Sequence, residues 1–523
     1  MRRSGHLGDG QRRYPRWELE NATIRRLLAE GVGGVILLGG SAAELRLRCE
    51  QLRGWSQQPL LICADVEEGV GQRFEGATWL APPLAVGRLH RSDPERAIAL
   101  ARRYGHCTGR QARRLGLNGV LAPVCDVNNN PLNPVINVRA WGETTSSAAV
   151  LATAFLEGAQ AEGVLCCAKH FPGHGDTSDD SHLELPRLPH GRERLETIEL
   201  PPFRAAIAAG CAAVMTAHLQ LDALDPLRPA TLSRPVLTGL LRHELGFTGL
   251  VITDALVMEA IASRWGAAEA AVLAFEAGSD LILMPADADA AIDGLVEAFS
   301  SGRLQLEQLH QSLRRREQAL AVAGSQAPAA SLAPLEELSA LETPQDQALA
   351  RELVEISLDS RGPQGLPAGP GVNLIRLDNS LNCAFLPAMA PALLRPAAAG
   401  YQCCLLDARG PSPWSGNADA PLALERLPDG PLLLQLFVRG NPFRGSAGGD
   451  EPWPAVIRQL LHMGRLAGLT VLGSPYLWET LEPLLPSAIP AGYSPAQMPL
   501  AQAALLSRLG LAVGTIAEGG FTD

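Results

Sequence analysis

The chain has 523 residues, enough for two or three domains around a large core. Its 46% hydrophobic and 19% charged residues are ordinary for a globular protein, and a net charge of -11 without a long basic run argues against nucleic acid and membrane as partners. No apolar run reaches the roughly 18–20 residues of a membrane span, and no apolar stretch follows the opening Met1-Arg2-Arg3-Ser4-Gly5-His6, so a cytoplasmic location without a signal peptide is expected.

A polar, Arg-rich N-terminal stretch comes first, with helix-like spacing from Asn21 to Glu30. Strand-like runs then alternate with Ala/Leu-rich helical stretches. The runs are Gly34–Leu38, Leu60–Ala64, Gly119–Cys125, Gly163–Ala168, Ala212–Thr216, Leu250–Thr253 and Asp280–Met284. Such βα repeats predict an α/β fold with a TIM-type (β/α)8 barrel, the alternative being a doubly wound open sheet. Asp65, Asp126, Lys169, His218 and Asp254 each stand just past the apolar core of a run. A barrel gathers those ends on one face, which favours it. The pattern lacks one strand. That strand should precede Gly34, but residues 1–20 read as too polar to supply it, so a barrel without its first strand is the expectation.

The Ala/Pro/Ser-rich stretch 323–347 reads as a linker, which sets the domains as 1–322, 323–347 and 348–523. The last opens with a helical stretch, Ala348–Leu358, and carries strand-like Val372–Leu377, Gln402–Leu406, Leu432–Val438 and Leu469–Leu472. It reads as a smaller α/β layered domain with no catalytic constellation. The ten cysteines sit mostly within apolar runs, among them Cys63, Cys125, Cys166, Cys167, Cys211, Cys403 and Cys404. Buried, reduced thiols fit that placement, and no C-x-x-C pair marks a zinc site.

The densest chemistry lies between Lys169 and His182, K-H-F-P-G-H-G-D-T-S-D-D-S-H. Lys169 and His170 are expected to leave the end of a strand, with a Gly-rich loop beyond. Lys169 is the only lysine in the chain. A chain that uses arginine everywhere else points here to a compact ammonium rather than a planar fork. Asp180 and His182 are two residues apart, so in an extended loop the carboxylate can bond the ring and raise its basicity, or the loop simply caps itself. His170, His174, Asp176 and His182 could also ligate a divalent ion, a minor reading because the Gly-Pro content forbids a helix-borne motif. Asp254, after Val251-Ile252-Thr253, reads equally as a nucleophile, a base, a ligand or a helix N-cap.

These stretches resemble glycoside hydrolase family 3, specifically its bacterial β-N-acetylglucosaminidase branch. Besides the Lys169–His182 segment, the resemblance rests on Ala122-Pro123-Val124-Cys125-Asp126-Val127-Asn128, Asn133-Pro134-Val135-Ile136 with Arg139, Met215-Thr216-Ala217-His218, and Leu241–Phe247 leading to Thr253-Asp254-Ala255-Leu256. It covers roughly residues 30–320. It implies a retaining hydrolase of terminal β-linked N-acetylglucosamine, without metal or cofactor. Asp254 resembles the nucleophile, and His182 paired with Asp180 the acid/base. Asp65, Arg73, Arg139, Lys169 and His170 resemble sugar-binding residues. His174 and Asp176 are expected to shape the loop, and His218 and Asp126 to stand behind the site. In the usual D-x-E-G-G-x-V-x-R segment, Glu68 replaces a Gly and Gly71 the Val, which puts the loop near Arg73 in question. The alternatives are a β-glucosidase or phosphorylase of the same fold, or a sugar-binding protein without turnover.

Overall fold

The computed structural model describes residues 1–11, 18–178, 185–323, 335–367, 369–377, 383–407, 412–439 and 451–511. The chain forms two compact units, one from residues up to Ala350 and one from Arg351 onward.

The first unit is built on seven parallel strands that pair in chain order: β1 (Arg2–Arg3), β2 (Gly34–Leu37), β3 (Leu61–Ala64), β4 (Gly119–Val120), β5 (Leu165–Phe171), β6 (Ala213–Thr216) and β7 (Leu250–Ile252). Leu281 adds the next run through a single parallel bridge to Ile252. The sheet curls around one apolar cluster that holds Ile36, Cys63, Leu121, Leu165, Cys167, Met215 and Ile252. Ala319 and Ala323, from and just after the helix Leu306–Val322, pack into the same cluster. Strands covered on both faces read as continuous apolar runs, which is why their order was visible in the sequence.

Two expectations are corrected. The polar N-terminus does supply the first strand: Arg2 and Arg3 pair with Ile36 and Leu37. Buried Arg3 fits in a strand because most of its guanidinium is paired. Arg3 donates to the carbonyls of Gly8 and Leu19 and pairs with Asp9 at 3.2 Å, while the Ser4 N–H donates to Glu18 Oε2 at 2.6 Å. Second, β5 does not end at Ala168. It runs through Lys169, His170 and Phe171, with its register against β6 shifted between Ala168 and Phe171. Conversely, the run after Gly119 makes only a two-residue ladder, and Pro123, which has no N–H to donate, interrupts it before Val124 bridges to Lys169.

The second unit is a six-stranded sheet. Its strands are β8 (Asp359–Arg361), β9 (Gly371–Leu377), β10 (Tyr401–Asp407), β11 (Leu432–Val438), β12 (Leu466–Gly473) and β13 (Ala491–Ser494). They lie in the order β8-β13-β12-β11-β9-β10, all parallel except β8. The helix expected from Ala348 runs Pro344–Glu355. Cys403 and Cys404 are not core thiols: β10 is an edge strand, Cys403 is exposed and Cys404 half-buried. Among the described residues no helix is long and apolar enough to cross a membrane.

Candidate active site

Parallel strands place their carboxyl ends on one edge of the sheet, and the charged side chains collect there. Asp65 follows β3 and Lys169 sits within β5. Their contact is a buried ion pair, Lys169 Nζ to Asp65 Oδ1 at 2.7 Å. The same ammonium lies 2.6 Å from Glu67 Oε1. Glu67 in turn accepts both Nε and Nη2 of Arg139, at 2.7 and 2.8 Å, and Arg139 Nη1 donates to the Val135 carbonyl at 3.0 Å. The result is a chain Asp65–Lys169–Glu67–Arg139 in which only Asp65 keeps a third of its side chain exposed.

Burial alone would lower the Lys169 pKa, but the two carboxylates outweigh it and hold the ammonium at about 12. Burial likewise pushes Glu67 up, and Arg139 and Lys169 reverse this, so it stays well below the usual carboxylate range. Lys169 and Glu67 therefore both stay charged, and the compact Nζ sits between two carboxylates where a planar guanidinium fork would not fit. Glu67 is the member that sequence reasoning left without a role. The usable signal was its position two residues after Asp65, since a buried carboxylate needs cationic partners.

Asp126 plays the corresponding part for the next side chains. It is fully buried and accepts His170 Nδ1 at 2.8 Å and the backbone N–H of His174 at 2.7 Å. Burial pushes its carboxyl up, but His170 and the other donors pull it below the ordinary value. His170 Nδ1 thus donates, and Nε2 is the nitrogen able to face a sugar hydroxyl. His174 is buried with Nδ1 on Thr177 at 2.8 Å, and burial depresses it to about 4 despite Asp126, so its ring is neutral. Asn133 donates to the carbonyls of His174 and Gly175, while Asp176 accepts from His190 and Arg194, each at 2.7 Å. Both His174 and Asp176 therefore shape the loop. Of the four residues of the metal reading, His170, His174 and Asp176 are held to these protein partners, and His182 lies with Asp180 outside the described residues.

Asp254 is half-buried, two residues past β7. The helix that follows begins at Glu259, with Met258 before it, so Asp254 is not its N-cap. Instead its Oδ1 accepts the Ala255 N–H at 2.7 Å. Arg73 is exposed and donates from Nε to the Asp65 carbonyl at 3.1 Å. The two departures in this segment fit the loop. A Cβ on Gly71 would lie 2.3 Å from the Ala77 carbonyl oxygen, and Glu68 turns inward to accept Trp79 Nε1 at 3.1 Å.

The family model for the glycosyl hydrolase family 3 N-terminal domain matches residues 10–318, and that for the bacterial glycosyl hydrolase family 3 C-terminal domain matches residues 367–510. The chain is 36% identical over 312 residues to β-hexosaminidase A of Pseudoalteromonas piscicida, covering 55% of this chain and 51% of that one. It thus spans about half the length of that relative. It is also 36% identical over 286 residues to the β-hexosaminidase of Alkalilimnicola ehrlichii, covering 53% of this chain and 82% of that one. Among solved structures, the family 3 β-N-acetylglucosaminidase of Paenibacillus sp. str. FPU-7 superposes with a TM-score of 0.76 at 31% identity, over 94% of this chain and 93% of that one. The curled parallel sheet, the second α/β unit and both family models agree: the chain is an enzyme of glycoside hydrolase family 3, in the branch of the bacterial β-hexosaminidases.

Proposed function

We propose that the chain removes terminal, non-reducing β-linked N-acetylglucosamine with retention of configuration. One observation carries this reading: the half-buried carboxylate of Asp254 shares the strand-end edge of the sheet with the Lys169–Asp65 pair and with His170. A nucleophile and hydroxyl-binding groups on one edge suit a pyranose. The names of the relatives support the amino sugar as that pyranose.

Asp254 attacks the anomeric carbon and forms a glycosyl ester as the aglycone leaves. His182, its charged form stabilised by Asp180, gives the departing oxygen its proton. It then takes a proton from the water that cleaves the ester, restoring the carboxylate. An imidazole suits both steps because its ordinary pKa of about 6.5 already lies near working pH. Asp65 accepts ring hydroxyls remote from the reacting bond. Lys169 pairs with Asp65, Glu67 holds Lys169, and Arg139 holds Glu67. Arg73 and Arg139 border the sugar. Peptidoglycan fragments in the cytoplasm are the substrate class this reading expects.

The test is hydrolysis of a chromogenic N-acetyl-β-glucosaminide beside the matching β-glucoside, with Asp254→Asn as control. Turnover of the amino sugar, lost by on the order of 10⁴-fold or more in the variant, is the expected result. Turnover of the glucoside alone, or an active Asp254→Asn enzyme, overturns the reading. Product analysis in phosphate buffer separates hydrolysis, which gives the free sugar, from phosphorolysis, which gives the sugar 1-phosphate.

A further inference from the structure

We infer that His218 sets the pose of the nucleophile, holding the backbone on both sides of Asp254 through two threonine hydroxyls and one carbonyl. The inference rests on the reading of Asp254 as nucleophile. His218 stands two residues past β6 and is completely buried. Its Nε2 lies 3.0 Å from the carbonyl oxygen of Ala255, the residue after Asp254. A carbonyl only accepts, so Nε2 carries a proton. Its Nδ1 lies 2.8 Å from Thr231 Oγ1, and that oxygen lies 2.8 Å from Thr216 Oγ1. Thr216 Oγ1 accepts the backbone N–H of Asp254 at 3.4 Å.

In the neutral ring these contacts form one continuous donor path, in which Thr231 shares its single proton between His218 Nδ1 and the Ala217 carbonyl. Asp254 N–H donates to Thr216, Thr216 O–H to Thr231, Thr231 O–H to His218 Nδ1, and His218 Nε2–H to the Ala255 carbonyl. The Ala217 carbonyl, 2.9 Å from Thr231 Oγ1, is a second acceptor for the same hydroxyl and ties it to the end of β6. Both threonines are fully buried, so water does not compete for these bonds. The path closes on the nucleophile, because the Ala255 N–H donates to Asp254 Oδ1 and fixes the carboxylate plane. His218 is therefore a positioning residue. It acts on the angle and distance at which Asp254 meets the anomeric carbon, and a misplacement of about 1 Å there is worth on the order of 100-fold in rate.

The test uses the full chain and four variants, Thr231→Val, Thr231→Ser, His218→Asn and His218→Gln. Active sites are counted by covalent trapping with a 5-fluoro glycosyl fluoride of the amino sugar, so a variant that folds poorly loses sites but not rate per site. Thr231→Val and His218→Asn are expected to lose on the order of 10- to 100-fold in kcat per trapped site, with KM within about twofold. Thr231→Ser keeps the hydroxyl and His218→Gln keeps a donor toward Ala255, so both are expected to recover to within about threefold. Wild-type kcat per site in Thr231→Val, or equal losses in Thr231→Val and Thr231→Ser, overturns the inference even if His218→Asn fails to fold. Peptide mapping of the trapped wild-type enzyme tests the underlying reading separately: an adduct on a residue other than Asp254 overturns both.

Discussion

The two units bury polar side chains at the heart of a parallel sheet, and they bury different kinds. At the strand ends of the barrel unit the buried groups are mainly charges: Lys169, Glu67 and Arg139 in one chain, Asp126 with His170 in another. In the second unit they are mainly amides. Gln435 donates to Asn373 Oδ1 and to the Ala392 carbonyl, at 2.7 and 2.8 Å, and Asn373 donates to the same carbonyl at 2.9 Å. Gln502 accepts the Ala392 N–H at 3.1 Å. That network pins a helix to the sheet. The second unit also holds a buried ion pair, Arg376 with Glu451, but its spare carboxylate oxygen is taken by Trp453 Nε1 at 2.8 Å. Buried ions are poor stabilisers compared with apolar groups of equal volume, whereas matched amides are close to neutral. Charge kept at strand ends, with Asp65 a third exposed, is what the proposed sugar site draws on.

Removing Glu67 breaks the comparison most severely. Glu67→Gln leaves Lys169 with one of its two carboxylates and Arg139 without the carboxylate it pairs with. A loss of about 3–5 kcal/mol in denaturant unfolding is expected, together with loss of turnover. A loss below about 1 kcal/mol would mean that the barrel charges are no more demanding than surface pairs.

His174 gives a pH-dependent version. Its folded pKa, about 4, lies below the ordinary 6.5, because burial disfavours the imidazolium. As pH falls the unfolded chain takes up this proton first, so the folded state loses stability between pH 6.5 and 4 and is level again below. The wild type should lose roughly 3 kcal/mol more than His174→Gln across that window. Unfolding free energies at several pH values check this, and a pH-independent difference between the two would show that the ring is not buried and neutral.

The amide network should respond more mildly. Gln435→Leu strands Asn373 Oδ1 and is expected to cost about 1–3 kcal/mol, while the double change of Gln435 and Asn373 to Leu should cost less than the sum of the singles. Turnover should not change. Strict additivity would show that the two amides do not act as one unit.

How far the sequence reached follows the same line between apolar runs and charges. Continuous apolar strands declared themselves, so the order of the barrel was legible, and so was the importance of the single Lys169. Charged residues misled wherever the folded structure pairs them. Arg2 and Arg3 form a strand only because Gly8, Asp9 and Leu19 satisfy Arg3. Lys169 and His170 stay in the ladder because Asp65, Glu67 and Asp126 pair them. The N-cap alternative for Asp254 failed because the helix starts only at Glu259, which local propensity does not reveal. In the second unit the short strands Asp359–Arg361 and Ala491–Ser494 lack a long apolar run and went unread.

Cysteine placement offers the gentlest probe of the contrast. The seven cysteines of the barrel unit, Cys49 to Cys211, are all buried, whereas Cys383 and Cys404 are half-buried and Cys403 is exposed. The apolar run Cys403-Cys404-Leu405-Leu406 suggested a core strand, but β10 ends the sheet order, and Gln402, Cys403 and Leu405 are exposed. Partial burial, with Cys404 beside it, still pushes the Cys403 thiol up, so its thiolate is scarce at neutral pH and exchange should be followed at mildly alkaline pH. With a thiol–disulfide exchange reagent the native protein is expected to show one fast thiol and two slower ones, the other seven reacting only on unfolding. Cys403→Ser should abolish the fast phase and shift stability by less than about 0.5 kcal/mol. A fast phase that survives the substitution would belong to another thiol, and mapping it to one of the seven cysteines of the barrel unit would reveal an opening in the apolar core on which the charged strand ends are built.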